Sequence, residues 1–198
     1  MLTGPRGVGK TFVCTELAAE ARARDLDVAG ILTGQSGPGP DSPREVVDLR
    51  TGQTRLFAAR ISLDNAPLRG DADHSSVSKG QQALGGLGGD SEQHSLTPGW
   101  EYAPKVFEWA NGVLSRATPC DLLIVDEVGP LELLGDYGWT KALQLLREGD
   151  FGAALVVCRP SLLDELQSNL GGPPARLFEI DPKESYALPG IILKEMFG

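Results

Sequence analysis

The 198-residue sequence predicts one α/β domain spanning residues 1–198. We expect a three-layer sandwich: a mostly parallel sheet between two layers of helices, with a hairpin at one edge. Three observations predict this fold. Short apolar runs alternate with segments of helical periodicity, a glycine-rich turn joins the first short strand to the first helix, and two adjacent strand-like runs flank a short turn.

The glycine-rich turn matches G-x-x-x-x-G-K-[ST], the phosphate-binding loop of P-loop NTPases. Its glycines let backbone N–H groups approach a phosphate closely. Lys10 is predicted to reach the β- and γ-phosphates, and the Thr11 hydroxyl to bind Mg²⁺. A nucleoside triphosphate is therefore the predicted ligand, and the predicted nucleotide-binding residues are Gly4, Pro5, Arg6, Gly7, Val8, Gly9, Lys10 and Thr11.

The elements around this loop follow in order. Residues 1–3 precede Gly4, so we expect either a short first strand or a natural protein that extends further upstream. Residues 10–23 are predicted to be helical because apolar side chains recur at helical spacing, and the loop then lies at the positive end of this helix. Residues 28–33 form an apolar, partly β-branched run typical of a buried second strand.

The middle of the chain contains a predicted hairpin followed by a glycine- and serine-rich segment. Residues 45–49 and 54–58 are predicted to pair as a hairpin. We interpret the arginines around it as a solvated face, with contact to a nucleotide or partner as the alternative: Arg44, Arg50, Arg55 and Arg60. Residues 62–99 are rich in glycine and serine, and we interpret them as a flexible insertion, the alternative being a lid over the site.

An apolar helix within residues 100–117 precedes the second half of the predicted site. Residues 121–125 form a continuous apolar run, typical of a strand buried on both faces, and Asp126 and Glu127 follow it. Ligands of open α/β sheets bind beyond the carboxyl ends of the strands. Asp126 is therefore predicted to hold Mg²⁺, and Glu127 to orient and deprotonate the attacking water.

Three later features complete the prediction. The buried strand at residues 151–158 ends at Arg159, which either stabilises the γ-phosphate or forms a structural salt bridge. Glu132 is either a second acid near the metal or a helix-start residue. Residues 176–180 are predicted to be a last strand, and residues 189–193 a short strand or packing arm.

Composition limits the partners. The 18 basic and 27 acidic residues give a net charge of −9, which argues against nucleic acid or an anionic membrane as the main partner. No apolar run approaches the roughly 20 residues that span a membrane. The three scattered cysteines suggest reduced thiols, so a cytoplasmic location is expected: Cys14, Cys120 and Cys158.

Two segments together resemble a known family. Residues 4–11 and residues 126–133, Asp-Glu-Val-Gly-Pro-Leu-Glu-Leu, are similar to the motifs of the small nucleoside-triphosphatases related to thermophile NTPase and the human cancer-related nucleoside-triphosphatase. Residues 30–33 resemble that family's second strand. The resemblance implies slow, Mg²⁺-dependent hydrolysis of ATP, GTP and other triphosphates with weak base selectivity.

Two other functions fit the same scaffold. A nucleotide or small-molecule kinase would need an arginine-rich lid, but residues 62–99 contain only Arg69 and Lys79 as basic residues. A nucleotide-dependent switch or assembly factor would bind a protein partner through an insertion that folds on binding. The pair of acids at residues 126 and 127 favours hydrolysis, since a kinase has less need of a water-activating acid.

Overall fold

The computed structural model describes residues 1–61, 99–135, 137–181 and 185–198. The strands in these ranges are β1 (Leu2–Thr3), β2 (Val28–Gln35), β3 (Arg44–Asp48), β4 (Thr54–Arg60), β5 (Trp100–Tyr102), β6 (Cys120–Val128), β7 (Phe151–Cys158) and β8 (Phe178–Glu179). The helices are α1 (Lys10–Arg22), α2 (Pro104–Leu114), α3 (Pro130–Leu134), α4 (Thr140–Glu148), α5 (Leu163–Leu170) and α6 (Leu188–Phe197). All the strands join one sheet in the order β5-β4-β3-β2-β6-β7-β1-β8.

The sheet has a parallel part and an antiparallel part. Strands β2, β6, β7, β1 and β8 run parallel, whereas β3, β4 and β5 continue the sheet beyond β2 with antiparallel pairing. The predicted fold class, with its hairpin of β3 and β4, is confirmed. Because parallel strands share one carboxyl edge, β1, β2, β6 and β7 all deliver their following residues to the same edge of the sheet.

Helices cover both faces of the sheet. Leu122 and Ile124 of β6 pack in a core with α1 and α6, whereas Leu123 and Val125 pack in a second core with α2, α4 and α5. This alternation places consecutive side chains of one strand in different cores, which explains the continuous apolar run in the sequence. Across the described ranges, every helix is too short or too polar to cross a membrane.

Two predicted elements differ from the structure. Residues 189–193 lie in α6, neither a strand nor an extended arm, and the buried Pro189, Ile192 and Leu193 recur at helical spacing. Residues 100–102 form β5, which lies outside the hairpin, and α2 begins only at Pro104, where a missing N–H is tolerated. The predicted flexible insertion falls on residues 62–98, outside the described ranges, apart from Gly99.

Candidate active site

The glycine-rich loop lies at the carboxyl edge of the sheet, between β1 and α1. Gly7 and Gly9 have φ angles of 77° and 103°, in the left-handed region that favours glycine. The Lys10 ammonium donates hydrogen bonds to the carbonyl oxygens of Gly4 (2.9 Å) and Pro5 (2.8 Å). The loop therefore curves around this ammonium group, and its cationic charge lies where the sequence predicts a phosphate to bind.

A hydrogen bond joins the loop segment to the acidic end of β6. The Thr11 hydroxyl donates to Asp126 Oδ2 over 2.8 Å, although 115 residues separate them in the sequence. The backbone N–H of Thr33, in the adjacent strand β2, donates to the same oxygen over 3.3 Å. The two segments that the sequence assigns to Mg²⁺ thus meet in the structure, while their role as metal ligands stays a prediction.

Asp126 is a buried carboxylate, with only 2% of its surface exposed. Burial raises its pKa from the ordinary value of 3.8 to about 6, against the opposing hydrogen bonds from Thr11 and Thr33. The charge of Glu127 raises the pKa further, and that of Lys10 lowers it. The hydrogen bonds and nearby charges of the protein therefore do not fully offset the cost of burying the ionised Asp126 carboxylate. A cation bound beside it would favour the ionised form.

Glu127 and Arg159 form an ion pair at the ends of the neighbouring strands β6 and β7. Arg159 Nε donates to Glu127 Oε1 over 2.7 Å, and the two side chains are 58% and 32% exposed, respectively. The hydrogen bond to Glu127 is the main reason that the pKa of Arg159 is raised. The salt bridge left open by the sequence is thus present with Glu127, and contact of Arg159 with a γ-phosphate stays a prediction.

Glu132 has a structural position that the sequence left open. It is buried, and its two carboxylate oxygens accept hydrogen bonds from the backbone N–H groups of Gly129 and Trp139, both over 2.9 Å. Burial raises its pKa from 4.5 to about 6. The Glu132 carboxylate therefore connects the residues after β6 to the start of α4 through these two hydrogen bonds. A glutamate three residues after Gly129 and two after Pro130 is a pattern typical of a helix start.

Arg44 also lies near this edge, at a position that the sequence did not indicate. It begins β3 and its guanidinium lies 5.2 Å from the Trp100 ring centroid. Burial and then the charge of Arg6 lower its pKa, whereas Glu127 raises it. Arg44 is therefore within electrostatic range of both the loop and the acidic strand end. Its placement depends on the pairing of β3 with β2, which no local pattern reports.

The other hairpin arginines have partners away from this edge. Arg50 pairs with Asp27 over 2.6 Å and donates to two backbone carbonyls. Arg55 stacks on Trp109, with 4.6 Å between the guanidinium carbon and the ring centroid. Arg60 pairs with Asp41 over 2.7 Å and also lies over the Trp100 ring. These three arginines are exposed, in agreement with the predicted solvated face, and each also makes a specific contact.

Two surface recesses lie elsewhere, with volumes of about 330 and 260 Å³. The first is lined by the ends of α2 and α4, and the second by residues such as Gly30, Asp48 and Arg50. None of the predicted site residues lines either recess. We place the candidate site at the open carboxyl edge, because the loop, the buried acid and the exposed ion pair converge there.

The fold is similar to two solved structures. One is the crystal structure of THEP1 from the hyperthermophile Aquifex aeolicus, with a TM-score of 0.66, 15% identity, and coverage of 100% of this chain and 98% of that chain. The other is the solution structure of a human cancer-related nucleoside triphosphatase, with a TM-score of 0.65, 19% identity, and coverage of 99% and 95%. No family model matches the sequence, and no curated protein does. At these identities the likeness establishes the fold, so the resemblance predicted from the two motifs is confirmed at that level.

Proposed function

We propose that the protein hydrolyses nucleoside 5′-triphosphates, including ATP and GTP, to diphosphate and phosphate in a Mg²⁺-dependent reaction. The observation that carries this proposal is the 2.8 Å hydrogen bond between Thr11 and Asp126. It brings a loop of phosphate-binding sequence against a buried carboxylate at the end of a central strand. The likeness in fold to a protein described as a nucleoside triphosphatase supports the same reaction class.

The side chains at this edge suit a Mg²⁺-bound triphosphate. Because the Thr11 hydroxyl donates its hydrogen to Asp126, its lone pairs remain available for a cation. Within the described ranges, no group of three or more His, Cys, Asp or Glu side chains could hold a metal ion. A cation here would therefore take its other ligands from phosphate oxygens and water, as Mg²⁺ commonly does. When bound, it would neutralise negative charge on the phosphates.

The remaining side chains have roles that follow from their positions. Lys10 lies within the curve of the loop and would bind the β- and γ-phosphates as a point charge. Glu127, one residue beyond Asp126 and 32% exposed, would orient the attacking water and accept its proton. Arg159 holds one oxygen of Glu127, and its other guanidinium nitrogens would face the γ-phosphate.

Steady-state phosphate release from ATP and GTP, with Mg²⁺ and without an acceptor, tests this function. Glu127→Gln should lower kcat by roughly 10²- to 10⁴-fold while nucleotide binding is retained. Lys10→Ala should weaken both binding and turnover. The matched control is Glu148→Gln, an exposed acid at the end of α4, which should leave turnover unchanged.

Four results would contradict the proposal or one of its residue roles. Wild-type protein that released no phosphate under these conditions would exclude hydrolysis. Formation of diphosphate that required a hydroxyl acceptor, with the phosphate transferred to that acceptor and none released, would indicate a kinase. Full activity of Glu127→Gln would remove this residue from the reaction. Unaltered nucleotide affinity of Lys10→Ala would count against the phosphate-binding role of the loop.

A further inference from the structure

An exposed pair of aromatic side chains lies directly beside the phosphate loop. Phe12 follows Thr11 in the first turn of α1 and is 38% exposed. Tyr186, between β8 and α6, is 82% exposed. Their ring centroids are 5.2 Å apart, with an interplanar angle of 71°, which is an edge-to-face contact. Two segments far apart in the sequence therefore present aromatic surface at one place.

Most other aromatic residues of the described ranges make contacts that leave less of their surface exposed to solvent. Most of those near the sheet pack together in one cluster, which contains Phe57, Tyr102, Phe107, Tyr137 and Trp139. Trp100 and Trp109 have arginine guanidinium groups over their rings. Phe12 and Tyr186 are the two most exposed aromatic side chains in these ranges.

We propose that Phe12 and Tyr186 form the platform on which the nucleobase of the substrate stacks. This inference rests on the proposed function, because the base is tethered through ribose to the phosphates that the adjacent loop would hold. Stacking on an aromatic ring contributes a substantial part of a protein's affinity for a nucleobase. It does not depend on which base is bound, since every base has a π-face. The platform would therefore accept adenine and guanine alike, and it would add nothing to the affinity for an inorganic polyphosphate.

Affinity measurements with three probes test the platform: ATP, GTP and inorganic tripolyphosphate, each with Mg²⁺. Tyr186→Ala should raise the Kd for ATP and GTP by roughly 5- to 150-fold, the range expected when one aromatic stacking contact is removed. The Kd for tripolyphosphate should stay unchanged. Tyr186→Phe should bind like wild type, and Phe12→Ala should repeat the result of Tyr186→Ala. Ile191→Ala is the matched control, because Ile191 is 48% exposed on α6 but contributes no aromatic ring.

Each other outcome has a definite meaning. If Tyr186→Ala and Phe12→Ala both bind ATP and GTP like wild type, the platform does not exist, while the proposed function stands. If both variants lose affinity equally for tripolyphosphate, the pair supports the loop and the platform is again refuted. If wild-type protein binds none of the three probes, the proposed function fails and the platform fails with it. Thermal unfolding of each variant shows whether the fold is intact, and Tyr186 is exposed enough that its truncation should leave Tm near wild type.

Discussion

Replacement of Glu132 by glutamine should remove one step from the pH dependence of stability. Glu132 is 6% exposed, and burial raises its pKa from 4.5 to about 6, although hydrogen bonds from backbone N–H groups, chiefly those of Trp139 and Gly129, oppose this shift. The native state therefore binds the Glu132 proton more tightly than the unfolded state does. The free energy of unfolding should fall as the pH rises from below 4.5 to above 6, by roughly 2 kcal/mol for this group.

Urea unfolding of wild type and Glu132→Gln at about pH 4 and about pH 7.5 isolates this contribution. The amide replaces one acceptor oxygen by a donor that faces a backbone N–H, which costs about 1–3 kcal/mol at every pH. On top of that constant penalty, the variant should gain about 2 kcal/mol relative to wild type between the two pH values, because it carries no titrating group. Glu148→Gln, at an exposed position, should show no such gain.

The sign of the change decides between two physical causes. If the stability difference between wild type and Glu132→Gln stayed constant with pH, the two N–H groups would fully compensate the burial of the charge. If the variant instead became less stable relative to wild type as the pH rose, hydrogen bonding would outweigh burial. Either result would refute the reasoning that burial dominates at this position.

Three further changes test the fold and the site. Gly30→Ala should destabilise the protein by more than about 4 kcal/mol in urea unfolding. The reason is that Gly30 has a φ of +112° and that an added Cβ would lie 1.9 Å from the Ile124 carbonyl oxygen. A stable variant would contradict the close pairing of β2 with β6. Arg159→Ala should change the free energy of unfolding by less than about 1 kcal/mol, because its ion pair is largely exposed. The same change should lower kcat by about 10²-fold. An unchanged kcat would show that Arg159 has no role beyond its salt bridge with Glu127. Arg50→Ala should cost about 0.5–1.5 kcal/mol in the same unfolding assay, because it removes exposed hydrogen bonds to two backbone carbonyls that water can then reach. A cost above about 3 kcal/mol would contradict the exposure of these contacts.

The fold class and the meeting of two distant segments were both predictable from local sequence patterns. The glycine-rich loop and the acids after β6 were predictable because each is a local pattern. The loop has a fixed glycine spacing, and the acids end a continuous apolar run. Their contact through Thr11 and Asp126 followed from the shared carboxyl edge of parallel strands. The metal and catalytic roles of these residues remain predictions.

The parts that the sequence did not predict depend on distant partners. The position of Arg44 near Glu127 requires the pairing of β3 with β2, and β5 is only three residues long, too short for a periodic signal. The misassigned C-terminal segment is different, because its signal was present. Pro189, Ile192 and Leu193 have helical spacing and are buried on one side of α6.

The order of the strands explains how Thr11 reaches Asp126 and how Arg159 reaches Glu127. Strand β7 lies between β6, which ends in Asp126 and Glu127, and β1, which leads into the loop. Neighbouring strands are about 4.8 Å apart, so β6 and β1 are separated by roughly 10 Å. The loop and the first turn of α1 must therefore pass over the end of β7 for Thr11 to reach Asp126 over 2.8 Å. Arg159 follows β7, the strand between β1 and β6, and its guanidinium pairs with Glu127. This position supports its proposed contact with the γ-phosphate, because a phosphate held by the loop and attacked from the side of Glu127 would lie above the same strand end.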